Sequence, residues 1–178
     1  RVEAMSVRGQ VIELDRLRGD LLGRLKADRL TIADADGTWL TVEQVDLKWS
    51  PFALIGGHLD LAHVRADLIG VARRPVLGPA QEETQASPIN RMDLRALDIA
   101  TLNLAGGVAG PAQSYALSGR VNTEGLTGAL GLDLRPTAVF GDIARSDLDW
   151  GGPTPLQGQA AISGAPSGLI ATLLGLPS

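Results

Sequence analysis

Asp34, Asp36, Gly37 and Glu43 stand at the third, fifth, sixth and twelfth places of a helix–loop–helix calcium loop. A loop of that kind needs an oxygen ligand at its first place as well. Here the first place is Ile32, and residues 38–49 alternate like a strand where a helix should begin. Asp36-Gly37 between two alternating runs is instead a hairpin signal, because glycine accepts positive φ. The spacing predicts a corner between strands.

The other chemical residues are as sparse. His58 and His63 are the only histidines, and five apart they fall on opposite faces of a regular strand. With no cysteine to join them they read as surface histidines and not as metal ligands. No serine sits in a G-x-S-x-G elbow. Gly106-Gly107-Val108-Ala109-Gly110 is glycine-rich but lacks a phosphate-loop lysine and a following helix. The carboxylates are spread along polar strand faces, with no isolated pair in an apolar setting for acid–base work. The expectation is a protein with no catalytic residues, no metal and no cofactor.

What remains is the scaffold. Hydrophobic residues make up 44% of the 178, aromatics only 3%, with 22 Gly and 10 Pro. Such a chain can bury a core, and Leu, Val, Ile and Ala must build it. The net charge of −4 offers no basic field to draw in nucleic acid. No apolar run reaches the ~20 residues of a membrane helix, and no secretory leader is seen. The chain opens at Arg1 and stops in apolar sequence at Ser178, which reads as a piece of something longer.

The strongest signal is a repeat, apolar-x-apolar-x-x-apolar-x-apolar. Leu25, Ala27, Leu30 and Ile32 fit it, as do Leu40, Val42, Val45 and Leu47. Leu59, Leu61, Val64 and Ala66 follow, then Leu97, Ile99, Leu102 and Leu104. Ile12, Leu14, Leu17 and Gly19 make a weaker fifth copy, and nearly all intervening residues are polar. On a helix, offsets of 0, 2, 5 and 7 scatter around the cylinder at about 100° per residue. On a strand each pair shares a face, and a β-bulge between the pairs keeps both on the same side. The spacing therefore predicts long, bent strands with one apolar side. A plainer alternative is that short turns break each run into strands of four residues.

The second half reads as strand more faintly, through Tyr115, Leu117, Gly119 and Val121, then Leu130, Leu132 and Leu134, then Ala160 and Ile162. "DLKWSP" at 46–51 and "DLDWGGP" at 147–153 are similar strand ends, where Trp49 and Trp150 would serve edge packing or ligand stacking. Helix is scarce. "SPFALIGG" at 50–57 offers Ser50 as N-cap, Pro51 in the first turn and Gly56-Gly57 as stop. "PSGLIATLLGL" offers a second short helix. Residues 75–88, rich in Pro and without periodicity, read as a linker or mobile loop between a first strand set, 1–74, and a second, 89–178.

Residues 16–75 resemble the N-terminal region of the TamB family, inner-membrane subunits of the translocation and assembly module. The likeness rests on Gly19-Asp20-Leu21-Leu22-Gly23, on Asp34-x-Asp36-Gly37-x-Trp39-Leu40, on Leu47-x-Trp49-x-Pro51-x-x-Leu54 and on Arg74-Pro75. Residues 166–177 resemble a later stretch of the same proteins, and 90–178 match diffusely. The family's N-terminal membrane anchor, and the C-terminal region that meets an outer-membrane TamA-like barrel, have no counterpart here.

The resemblance implies a periplasm-spanning relative of the AsmA-like, bridge-like lipid-transfer group, anchored in the inner membrane by a segment absent from this chain. It implies a mainly β fold: a long curled antiparallel sheet forming a β-taco with an apolar interior. It implies phospholipid transport between the membranes and support of outer-membrane protein assembly. Acyl chains would then lie against Leu25, Leu30, Ile32, Leu40, Val42, Val45, Leu47, Leu59, Leu61, Val64, Leu97, Ile99, Leu102 and Leu104. Two other readings stay open. One is a scaffold holding nascent outer-membrane strands by β-augmentation. The other is a closed β-sandwich whose apolar faces pack on each other.

Overall fold

The computed structural model describes residues 2–7 (backbone only), 10–20, 22–76, 89–108, 110–137, 141–151 and 156–164. The linker stretch 77–88 and the second proposed helix at 166–176 lie outside these residues.

The described residues fold mainly as strand. The strands are β1 (Val2–Val7), β2 (Gln10–Asp15), β3 (Arg18–Asp20), β4 (Arg24–Asp34), β5 (Gly37–Trp49), β6 (His58–Val71), β7 (Arg91–Leu104), β8 (Gln113–Glu124), β9 (Thr127–Pro136), β10 (Ile143–Trp150) and β11 (Leu156–Ser163). All eleven belong to one sheet in the order β1-β2-β4-β5-β6-β7-β8-β9-β10-β11, with β3 beside β4. The sheet curls without closing, its apolar face inside. The strands form one layer, not the two packed layers of a sandwich.

Neighbours in sequence are neighbours in space, as short connections dictate. The hairpin between β4 and β5 turns at Ala35-Asp36 with Gly37 at φ 102°, and the Asp36 amide donates to the Asp34 carboxylate at 2.9 Å. The 3-10 helix Pro51–Gly56 links β5 to β6 and ends at Gly57 in the left-handed region, φ 72°. The Ser50 side chain forms no cap; its carbonyl accepts from the Ala53 amide at 3.1 Å.

One pairing departs from the antiparallel expectation. β6 and β7 run parallel, His58 beside Arg91 and Val71 beside Leu104. Residues 72–90 must therefore return the chain along the whole strand, about 45 Å for a strand of this length. Fully extended they reach about 60 Å, so the connection is long for a geometric reason. Its start is pinned to the β4–β5 corner. Arg73 forms an ion pair with the Asp34 carboxylate, and the Val76 amide donates to the same group at 2.8 Å.

The register shows how the strands bend. Pairing skips Arg16, Asp28, Gln44, Asp67 and Ala100, while the partners on either side keep one constant register. These residues form a line across β2/β3, β4, β5, β6 and β7: one extra residue per strand, all at the same level. Arg16 and Gln44 absorb it with positive φ, 51° and 53°. β8 has no such residue, so the β7–β8 register slips there, and Ala100 and Thr101 face Ala116 alone. A second line starts at Ala62 in β6 and crosses to β7, where Arg95 and Ala96 face Arg120 alone. Each slip is a β-bulge, which kinks a strand and raises its twist.

Candidate functional site: the apolar face of the curl

β8 and β9 pair without a slip from Tyr115↔Pro136 to Glu124↔Thr127, so β8 alternates strictly. Gln113, Tyr115, Leu117, Gly119, Val121 and Thr123 thus share a face. Their partners on β7 are Leu104, Leu102, Ile99, Leu97, Leu94 and Met92. Cross-strand partners lie on the same side of a sheet, so the two bulges hold all six β7 residues on one face. The same step carries to Leu59, Leu61, Val64, Ala66, Ile69 and Val71 on β6, then to Leu40, Val42, Leu47 and Trp49 on β5. It ends on Leu25, Ala27, Leu30 and Ile32 of β4, with Val45 opposite Ala27.

Every apolar residue of the repeat is therefore brought to one face, in rows that cross the strands. One row is Leu25, Leu47, Val64, Leu97, Gly119, Leu132. Another runs through Leu30, Val42, Ile69 and Leu102 to Tyr115. The weak fifth copy joins too, Ile12 beside Ile32 and Leu14 beside Leu30, though Arg16 breaks it into β2 and β3. Sequence reading missed Ile69, Val71, Met92 and Leu94. One more five-residue step in either direction along β6 and β7 would have found them.

Burial marks a crease. Ala27, Ala66, Ile99 and Leu134 are buried, and they lie on one row beside the main bulge line. Small alanines suit the inside of a bend, where room is least. Most of the other repeat residues are only half-buried, so their side chains still meet solvent. Tyr115 and Asp142 are fully buried at one end of this face, with the Tyr115 hydroxyl 3.3 Å from the Asp142 carboxylate.

Trp49 and Trp150 sit at the other end of the strands. Trp150 pairs with Gly128, and its indole occupies the space a Cβ there would need. Trp49 pairs with Leu61, and its buried indole N–H has no acceptor among the described residues.

The opposite face is charged and internally paired. Arg24 and Lys26 share Asp46, whose carboxyl the Arg24 hydrogen bond holds down at about 2 despite partial burial. Arg73 holds Asp34 far below the usual carboxylate range; burial opposes this, and the Val76 and Asp36 amides add to it. Asp34 itself alternates with Ile32 and so sits at the rim of the apolar side, committed to a guanidinium at the β4–β5 corner. Asp93 is also lowered: burial pushes it up, but His58 at 2.6 Å, Arg91 and Asn122 together prevail. The bulge at Ala62 corrects the histidine geometry. His58 and His63 both lie on this polar face, opposite Arg91 and Lys48 respectively. A shallow depression of about 730 Å³ here is lined by Arg95, Arg120, Arg145, Asp98, Asp133 and Asp147. Its arginines are spent on Asp60, Asp147 and Asp133, so it offers no free cation.

No family model, no curated protein and no solved structure matches the chain. An open apolar row that crosses six strands, about 24 Å at ~4.8 Å per strand, can shelter a hydrocarbon chain.

Proposed function

We propose that the chain is a segment of a TamB-like envelope-biogenesis protein whose trough carries phospholipid acyl chains between the inner and outer membranes. One observation carries the reading. The register aligns the repeat into continuous apolar rows inside the curl, and no second sheet covers them among the described residues. Each methylene moved from water onto such a surface gains about 0.8 kcal/mol, while the headgroup stays at the open side in water. Transport is then passive sliding along the rows. In the full-length protein this implies a periplasmic location, an inner-membrane anchor and a TamA-like barrel partner. Support of outer-membrane protein assembly follows from that setting.

A specific observation favours a second reading, a scaffold for nascent outer-membrane strands. Among the described residues β11 is an edge strand, and its eight residues carry no charge and no proline to discourage pairing.

Native mass spectrometry of the purified chain separates the two. The trough reading expects co-purified phospholipid, lost when Val45 and Leu97 are replaced by Asp with circular dichroism unchanged. A lipid-free protein that captures unfolded barrel strands instead would replace it with the scaffold.

A further inference from the structure

The connections at the Trp49–Trp150 end form one lip of the trough. They are tied in a row: the Trp49 amide donates to Gly23, Asn90 to Gly57 and Gly125 to Asn90, each at 2.9 Å. A Cβ on Gly151 would lie 2.6 Å from the Leu126 carbonyl, so the next connection adjoins as well. Along this lip Leu22, Phe52, Ile55, Leu126 and Leu156 are 67%, 69%, 86%, 93% and 64% exposed. From Ser50 to Gly57 there is no charge at all. At the opposite lip the exposed apolar residues Val11, Ile143 and Ile162 lie within strands, and Val76 sits beside the Asp34–Arg73 ion pair.

Cations gather under one corner of the apolar lip. Arg24 and Lys26 share the single carboxylate of Asp46. Lys48, the register partner of Arg24, has no ion-pair partner among the described residues. Asp20 is turned to the Leu22 amide, 2.9 Å away. Three cations against the two carboxylates of Asp46 and Asp20 leave a local excess of one positive charge in a chain of net charge −4.

We propose that this lip docks on an anionic phospholipid bilayer. Leu22, Phe52, Ile55, Leu126 and Leu156 enter the interface, and Lys48 and Arg24 meet lipid phosphates. The tips are spread along the lip, Leu22 and Leu126 on separate turns, Phe52 and Ile55 on the 3-10 helix and Leu156 at the start of β11. A fluid bilayer accepts spaced anchors, whereas a protein partner would need a pocket for each. The inference goes beyond the trough reading and stands without it, since the lip could hold a membrane whether or not the trough is loaded.

Flotation of the 178-residue chain with phosphatidylethanolamine–phosphatidylglycerol vesicles tests it. The expected result is binding that weakens with salt and falls about tenfold in the double variant Phe52→Asp, Ile55→Asp. Leu126→Asp alone gives a smaller loss, and Val76→Asp on the far lip gives none. Brominated lipids should quench Trp49 and Trp150 but spare Trp39 at the other end. Absence of flotation, or flotation undiminished in both lip variants, overturns the proposal. So does a lip variant that abolishes a dimer while vesicles stay unbound, which assigns the lip to a second copy. Failure here with phospholipid still bound in native spectra removes the lip and leaves the trough reading standing.

Discussion

Strands β4–β7 and strands β8–β10 build the same apolar face by different means. The first group bends by inserting a residue: the repeat steps two, then three, and the bulge line carries the extra residue across every strand at one level. The second group steps by two throughout and carries glycine where backbones and rings come close. A Cβ at Gly119 would lie 2.8 Å from the Gly131 carbonyl, and one at Gly128 would meet the Trp150 indole. The two β7–β8 register slips are the joint between these solutions. A bulge line must be kept in step by all its neighbours, whereas a glycine acts on one pair of strands. The first group should thus be cooperative and intolerant of length change, the second sensitive to side-chain volume.

Deleting Ala100 should have the largest effect. It repairs the register with β8 but breaks it with β6, and a one-residue slip turns Leu102 and Leu104, or Leu97 and Ile99, to the polar side. The expected outcome is loss of cooperative urea unfolding. A deletion that unfolds with an unchanged midpoint would show that the bulge line does not set the face.

Glycine substitution gives the next effect and separates the groups directly. Gly128→Ala has to displace Trp150 and meets the Asn122 carbonyl at 2.7 Å, and should cost about 2 kcal/mol, as overpacking typically does. Gly70→Ala on β6 meets nothing closer than 3.8 Å and should be neutral or stabilise by up to about 1 kcal/mol. Equal unfolding midpoints for the two variants would erase the distinction.

Acid should act more gently, and on both groups. Asp34, Asp46, Asp93 and Asp133 all have carboxyls lowered in the folded state, Asp46 to about 2. Each is ionised when folded at a pH where the unfolded chain, near the ordinary aspartate value of 3.8, begins to take up protons. Their stabilisation is therefore full above pH ~5 and declines as pH falls from there toward about 2. Urea midpoints should drop over that window, and Asp46→Asn should flatten the slope. A midpoint that rises on acidification would contradict the sign.

The bend was legible in the sequence because it is local. Leu25, Ala27, Leu30 and Ile32 announce a strand with an extra residue, and Asp36-Gly37 announces its corner. What could not be read is what depends on distant partners. The parallel β6–β7 pair is chosen across residues 72–90, and no spacing within either strand distinguishes it from an antiparallel one. The same holds for the Asp34–Arg73 pair and for the alignment of five bulges into a line. The histidines illustrate the point: five apart they oppose on a regular strand, and one bulge at Ala62 returns them to the same face. The second half was fainter because glycines at 119 and 128 replace the leucines that would have marked its rows.

Photo-crosslinking at neighbouring residues of β7 tests the central claim most directly, because Leu97 and Asp98 differ only in the face they occupy. A photoreactive side chain at 97 should yield a phospholipid adduct in cells, and one at 98 should not. Adducts at both positions, or at neither while the protein remains folded, would mean that the inner face of the curl is not where lipid travels.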